Sequence, residues 1–286
     1  MPTLAQKDRR RALLLLSPAY LWLMVAIFLP LSAMAFFSFL TDLPFGGHDW
    51  HVTLANYTAF FQTTTYALLL WKSVKLGLIV TALCALIGFP CAMVLAKGIK
   101  GRAREALFLL IILPFWSNSL VRVFSWAIVL RGNGVLDHLV SAILPGDIKL
   151  NLAFSQTAVV IGLVHSYLPY IILTSYLALQ AIDDSLIEAA RSLGAPARTI
   201  LIRLLLPLSA PGLIAGSVLI FVPVVGSFME PRLLGGRTGT YYGTVIEDQF
   251  VAVFNWPLGA ALSFILLAVV LLILALASPV LKRAQT

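Results

Sequence analysis

Residues 185–194 hold the densest set of side chains with a readable purpose. Ser185 and Glu188 stand in the S-x-x-E spacing of a capping box, in which two side chains satisfy free backbone N–H groups at a helix start. Leu186, Ala189, Ala190 and Leu193 then fall at i, i+3, i+4 and i+7, which makes one narrow apolar face. Gly194 is placed as a helix stop and Pro196 as the next start, so two short helices are expected. The chemistry this face offers is docking. Alanine and glycine let another backbone approach closely, whereas a helix that merely rests on lipid carries Trp and Phe anchors on a broad face. The stretch 180–206 is therefore read as a surface held by a separate protein.

A second constellation is Asn118, Arg122 and Ser125, spaced i, i+4 and i+7 on one stripe of an apolar helix. A charge there is costly toward lipid, so Arg122 should face a transport path, a partner subunit or a counter-charge such as Glu230. An interhelical salt link and a pathway role are both open at this point. Pro223 is expected to kink its helix near the middle, with Gly226 close by, and interrupted helices often line a transport path. Gly212 and Gly216 form G-x-x-x-G, which permits close helix packing. His165 is read as a packing residue. Trp116, Trp126, Tyr167 and Tyr170 could offer cation–π faces to an ammonium, or form an interfacial belt. The chain has no G-x-x-x-x-G-K-[ST] phosphate cradle, carboxylate pair, metal-ligand cluster or nucleophile constellation, so enzymatic chemistry is not expected of it.

The elements that carry these residues follow from composition. The 286 residues are 60% hydrophobic and 11% charged, against about 25% charged in soluble proteins, which excludes a cytosolic globular domain. Runs 12–41, 76–96, 150–182, 204–229 and 249–281 hold no Lys, Arg, Asp or Glu. Each can cross a hydrocarbon core of about 30 Å, which takes roughly 20 helical residues. A sixth run, 107–130, carries only Arg122. Six spans are thus expected, at 13–39, 73–96, 107–130, 157–179, 208–229 and 258–281. They must be helices, because they lack the alternation of barrel strands and lipid-facing backbone has to satisfy itself. The whole chain, 1–286, reads as one all-α transmembrane domain with 180–206 as its cytoplasmic loop.

Orientation follows from Lys and Arg, which resist translocation. Thirteen of the 20 sort to one side: Lys7, Arg9, Arg10 and Arg11, then Lys97, Lys100, Arg102 and Arg104, then Arg191, Arg198 and Arg203, and last Lys282 and Arg283. Both termini are therefore expected in the cytoplasm. The net charge of +8 is a matter of topology, since these cations hug span ends and form no basic face with interleaved aromatics; no nucleic-acid partner is expected. The first apolar run is about twice a signal peptide's usual length and reads as a retained span. Cys84 and Cys91, seven apart on one helix, are about 10 Å from each other and cannot bridge.

Read from Glu188 to Pro207, the loop is EAARSLGAPARTILIRLLLP. It resembles the EAA loop of ABC importer permeases, which runs E-A-A, three residues, G, nine residues, I-x-L-P, with Leu204 here in place of the usual Ile. FWSNSLVR at 115–122, PLSAPGLIAGS at 207–217, LLGG at 233–236 and NWPLGAALS at 255–263 extend the resemblance to spermidine/putrescine permeases of the PotB type. The resemblance implies the type I importer (MetI-like) fold in a bacterial inner membrane. It makes Glu188, Ala189, Ala190, Gly194 and Pro207 the coupling residues, seated in a groove of an ATPase subunit. It further implies a second homologous permease, two copies of that ATPase and a periplasmic substrate-binding protein. ATP and Mg would be used by the ATPase, with no cofactor bound by this chain.

Cargo is harder to read. Asp42, Asp49, Asp137, Asp147, Glu230, Glu247 and Asp248 lie in or beside outer segments, but Lys72, Lys75, Arg122, Arg131, Lys149, Arg232 and Arg237 cancel them. Arg232, in MEPRLLGG, stands where relatives often carry an acid, so an opine or aminophosphonate is the alternative to a polyamine. An ion-coupled secondary transporter would need ionisable groups near mid-membrane, and Arg122 is the one charge found away from a span end, Lys75 standing at the edge of the second.

Overall fold

The computed structural model describes residues 4–44, 49–132, 134–143 and 152–283. Asp147 and Lys149, both assigned above to the outer side, lie outside the described residues. Among the described residues the regular structure is helical apart from one isolated bridge, Leu40 with Val52. In chain order the helices are α1 (Leu4–Ser38), α2 (Ala55–Gln62), α3 (Thr64–Met93), α4 (Arg102–Ile112), α5 (Ser119–Val129), α6 (Val135–Ile143) and α7 (Gln156–Gln180). They continue as α8 (Asp184–Ser192), α9 (Ala197–Ile200), α10 (Leu206–Val225), α11 (Met229–Leu234), α12 (Tyr242–Val251) and α13 (Trp256–Arg283). A π-helical turn, Val94–Gly98, extends α3, and another, Leu201–Leu205, joins α9 to α10.

The chain divides into two compact units, Met1–Thr63 with Asp248–Ile265, and Thr64–Glu247 with Leu266–Thr286. In the first, α1 has an exposed apolar surface that includes Leu15, Trp22 and Leu29. Such a surface is stable only against lipid or another subunit. Where the chain leaves α1, Asn56 donates to the carbonyls of Ser38 and Leu40, at 3.1 and 2.8 Å.

The second unit is built on α3, α7 and α10. Val80, Cys84, Leu163, Ile171, Ile220 and Val224 form its central core. The G-x-x-x-G pair works as expected: a Cβ on Gly212 would lie 2.5 Å from the Thr174 carbonyl oxygen, and one on Gly216 would lie 2.3 Å from Thr174 Oγ1. Only glycine lets α10 come this close to α7. A second cluster, with Phe89, Leu95, Tyr176, Leu179, Ile187 and Ile200, packs at one end of these helices and ties α8 and α9 to the span ends.

Among the described residues five helices are long and apolar enough to cross a membrane: Leu15–Ser38, Thr64–Gly98, Gln156–Gln180, Ala197–Val225 and Trp256–Ser278. The expected third span is a broken one. Arg102–Trp116 and Ser119–Val129 meet at 96°, and with them counted together there are six. The break falls where Leu113–Trp116 tightens into a 3-10 turn containing Pro114, and Asn118 restarts the helix by accepting from the Leu120 N–H at 2.9 Å. Asn118 is thus the cap of α5 and not a member of a continuous stripe.

Two boundaries also differ from expectation. α3 begins nine residues before the position read from charge, because Lys72 is accommodated inside it. Its ammonium donates to the carbonyls of Thr238 and Thr240, at 2.7 and 2.8 Å, and lies 4.2 Å from the centre of the Tyr241 ring. Pro223 is not central in its span: α10 ends at Val225 with Gly226 as its cap, so the proline occupies the last turn.

Candidate coupling site

The segment between α7 and α10 positions its residues through a small set of polar contacts. The start of α8 is capped by Asp183, whose Oδ1 accepts from the Ser185 N–H at 2.9 Å. The expected capping box on Ser185 and Glu188 is therefore displaced: an Asp just upstream, with extended backbone, takes the cap, and Ser185 lies inside the helix. That hydrogen bond from Ser185 holds the Asp183 carboxyl below its ordinary range. The neighbouring Asp184 is lowered too, first by its hydrogen bond from Lys97 and then by that residue's charge. Lys97 Nζ sits 2.6 Å from Asp184 Oδ1 and donates at the same distance to the Ile182 carbonyl. The π turn after α3 thus clamps the entrance to α8.

Ile187 is 8% exposed and anchors α8 to the body, an amount of burial that stabilises by about 1.5–3 kcal/mol. The opposite face is open. Leu186, Glu188 and Ala189 are exposed, Leu193 is 89% exposed, and Ala190 is intermediate. The helix ends in a Schellman motif: the Gly194 N–H donates to the Arg191 carbonyl at 2.9 Å and the Ala195 N–H to the Ala190 carbonyl at 3.0 Å. Gly194 has φ of +79°, a left-handed backbone that side chains resist, with no atom within 4 Å of where its Cβ would be. Pro196 follows as the cap before α9, and Pro207 lies in the first turn of α10. Glu188, Ala189, Ala190 and Gly194 are thus gathered on one knuckle, while Pro207 begins the span behind it. Behind the knuckle lies a cavity of about 480 Å³, bounded by Met93, Lys97, Ile187, Arg191 and Leu201 among others.

Arg122 and Ser125 come together elsewhere. With Ser117, Val121, Trp126 and His165 they line a pocket of about 390 Å³ on α5 and α7. Arg122 donates to the Pro114 carbonyl at 3.2 Å, and its buried Nε has no partner. The expected link to Glu230 does not form. Glu230 is buried at the start of α11 and its Oε2 accepts from Ser227 Oγ at 2.9 Å, so the short α11 turn holds the acid locally. His165 meets the Trp126 ring edge-on at 5.4 Å. Phe115, Tyr167 and Tyr170 form an adjoining aromatic group, with centroids 4.6 Å apart for Phe115 and Tyr170 and 5.9 Å for the two tyrosines. Trp116 is 91% exposed and stands outside it. Arg232 pairs with Glu247. Among the described residues no group of three His, Cys, Asp or Glu side chains could hold a metal.

Sequence reasoning missed Asp183, Lys97 and Ile187. Asp183 was detectable, since Asp is as good a cap as Ser and stands two residues ahead of it. Lys97 was not, because its contact joins positions 87 residues apart.

A helical membrane domain with spans of this arrangement and a capped, outward-facing helix at one end is of the transporter membrane-subunit class. Residues 88–284 match the model of the binding-protein-dependent transport system inner membrane component, and the chain belongs to that family. It is 35% identical over 265 residues to the spermidine/putrescine transport system permease protein PotB of Haemophilus influenzae, covering 92% of each chain. To PotB of Escherichia coli it is 37% identical, over 88% of this chain and 91% of that one. The fold is shared with a bacterial ABC transporter involved in the import of the acidic polysaccharide alginate, with a TM-score of 0.75 and 19% identity over 97% of this chain and 98% of that one. The chain is therefore an inner-membrane permease subunit with the type I ABC importer fold.

Proposed function

We propose that this chain is one of two permease subunits in an importer that carries polyamines such as spermidine and putrescine into the cell. The observation that carries the reading is identity of 35–37% to PotB proteins across about nine-tenths of both lengths. The energy comes from ATP and Mg handled by two copies of a separate ATPase, and a periplasmic binding protein delivers the cargo. This chain's own part is mechanical. The knuckle at Glu188–Gly194 is the element the ATPase grips, because its apolar face is exposed while Ile187, Lys97 and the two aspartates fix its base. Closure of the ATPases moves it as a rigid body and switches the permease pair between inward-open and outward-open states.

On the cargo side, Asn118, Arg122, Ser125, Pro223 and Glu230 are the gate or pathway candidates. Glu230 is the group among them suited to an ammonium, with Tyr167 supplying a ring face close by. The test is uptake of labelled spermidine and putrescine into proteoliposomes holding both permeases and the ATPase. Uptake that requires ATP and the binding protein is expected. Transport of an opine or aminophosphonate in place of the polyamines would overturn the cargo, and uptake without the ATPase would overturn the mechanism.

A further inference from the structure

Arg122 is a guanidinium on the second half of the broken third span, with no counter-charge among the described residues of its own chain. Among the described residues no carboxylate lies within ion-pair distance of it, and the nearest span acid by expectation, Glu230, is held by Ser227. Its one hydrogen bond goes to the neutral carbonyl of Pro114, and its Nε is buried with no acceptor. A charge in this condition is costly at membrane depth unless something outside the chain completes it. Its pocket is also the wrong surface for lipid. Ser125 and His165 are exposed there beside Arg122, and a hydrocarbon neighbour would leave all three facing an apolar medium. Around them Leu120, Val121, Phe124 and Ile128 form an exposed apolar ridge along α5. A polar pocket ringed by apolar side chains has the layout of a protein–protein contact with a charged anchor at its centre.

We propose that this pocket receives an Asp or Glu side chain of the second permease subunit, which pairs with Arg122 and fixes the α5 face against that subunit. This rests on the reading of the chain as half of a permease pair. Charge complementarity selects the occupant: a cationic polyamine would be repelled, whereas a carboxylate can take the terminal nitrogens of the guanidinium end-on in a forked geometry, the Nε being buried behind them. The pocket, about 390 Å³, has room for a carboxylate side chain and its water. His165 is a further polar partner at the pocket wall, whereas the Ser117 and Ser125 hydroxyls already donate to the Pro114 and Val121 carbonyls and would have to turn to meet the incoming acid.

The complete importer tests this. Benzoylphenylalanine replacing Ser125 is activated by light in membranes, and the adduct is mapped by mass spectrometry. The expected product joins this chain to a segment of the second permease that carries Asp or Glu. In parallel, Arg122→Gln should lower the second permease recovered with this chain by about tenfold, with Arg122→Lys intermediate because it keeps the charge but loses the fork. Membrane yield of the variants, read alone, controls for folding. Adducts with phospholipid only would overturn the proposal. So would an Arg122→Gln importer that assembles as well as the parent but shows a raised KM for its solute, which would assign Arg122 to the cargo. The polyamine reading is separable: if the solute proves anionic while the permease adduct and the assembly defect stand, that reading fails and this one holds.

Discussion

Replacing Gly194 tests the knuckle through backbone conformation alone. The residue sits at φ of +79°, and a Cβ added there meets nothing within 4 Å, so Gly194→Ala introduces no clash. What it introduces is the cost of holding an L-residue in the left-handed region, about 1–2 kcal/mol. The two hydrogen bonds that close the end of α8, from Gly194 to Arg191 and from Ala195 to Ala190, exist only in that conformation. On the proposal that the ATPase grips the knuckle in this conformation, a variant whose loop has left it must recover it on docking. The penalty therefore appears in the association, and 1–2 kcal/mol corresponds to roughly a 5- to 30-fold weaker Kd. Gly194→Asn should fall well short of this, because Asn tolerates the left-handed region. The assay is titration of the ATPase onto the permease pair in nanodiscs, with membrane yield as a control for folding. Unchanged affinity in Gly194→Ala, or an equal loss for Ala and Asn, would refute the reasoning.

Three further outcomes follow from the same geometry. Gly212→Leu forces α10 away from the Thr174 carbonyl of α7, an overpacking cost of about 1–3 kcal/mol, and should lower the thermal midpoint of the purified permease more than Gly212→Ala does. Asp183 and Asp184 both have depressed pKa values, so the stability they lend α8 is complete above the unfolded carboxylate range near about 4 and is lost as pH falls through the lower folded values. Exchange protection of the Ser185 amide, corrected for intrinsic rate, should hold from pH 7 down to about 4 and collapse below; loss between pH 7 and 6 would contradict it. Lys97→Met removes the clamp on Asp184 and the Ile182 carbonyl and should raise the ATP hydrolysed per solute moved, while insertion into the membrane stays intact.

The spans were legible because lipid leaves so few solutions: a charge-free run of 20 or more residues must be a helix, and the positions of Lys and Arg orient it. The knuckle was legible because helical periodicity and the left-handed stop at Gly194 are local, although its cap falls on Asp183 and not on Ser185. What sequence hid came from contacts between distant positions. Lys72 looked like a span boundary because its carbonyl partners, Thr238 and Thr240, lie far along the chain. The break at Ser117 and Asn118 was hidden because the run stays free of charge up to Arg122, although Pro114, the polar triplet Ser117, Asn118 and Ser119, and an Asn that can cap were local hints. Arg122 could be read as needing a partner, but Glu230 was a guess from charge alone; the local bond from Ser227 decided otherwise.

The most direct measurement is a zero-length or short-arm cross-link from a cysteine placed at Ala189, on the exposed face of α8, in membranes containing the assembled importer. The account predicts a product with the ATPase subunit whose yield changes when ATP is bound and again after hydrolysis. Adducts that contain only lipid, or a yield indifferent to nucleotide, would contradict it.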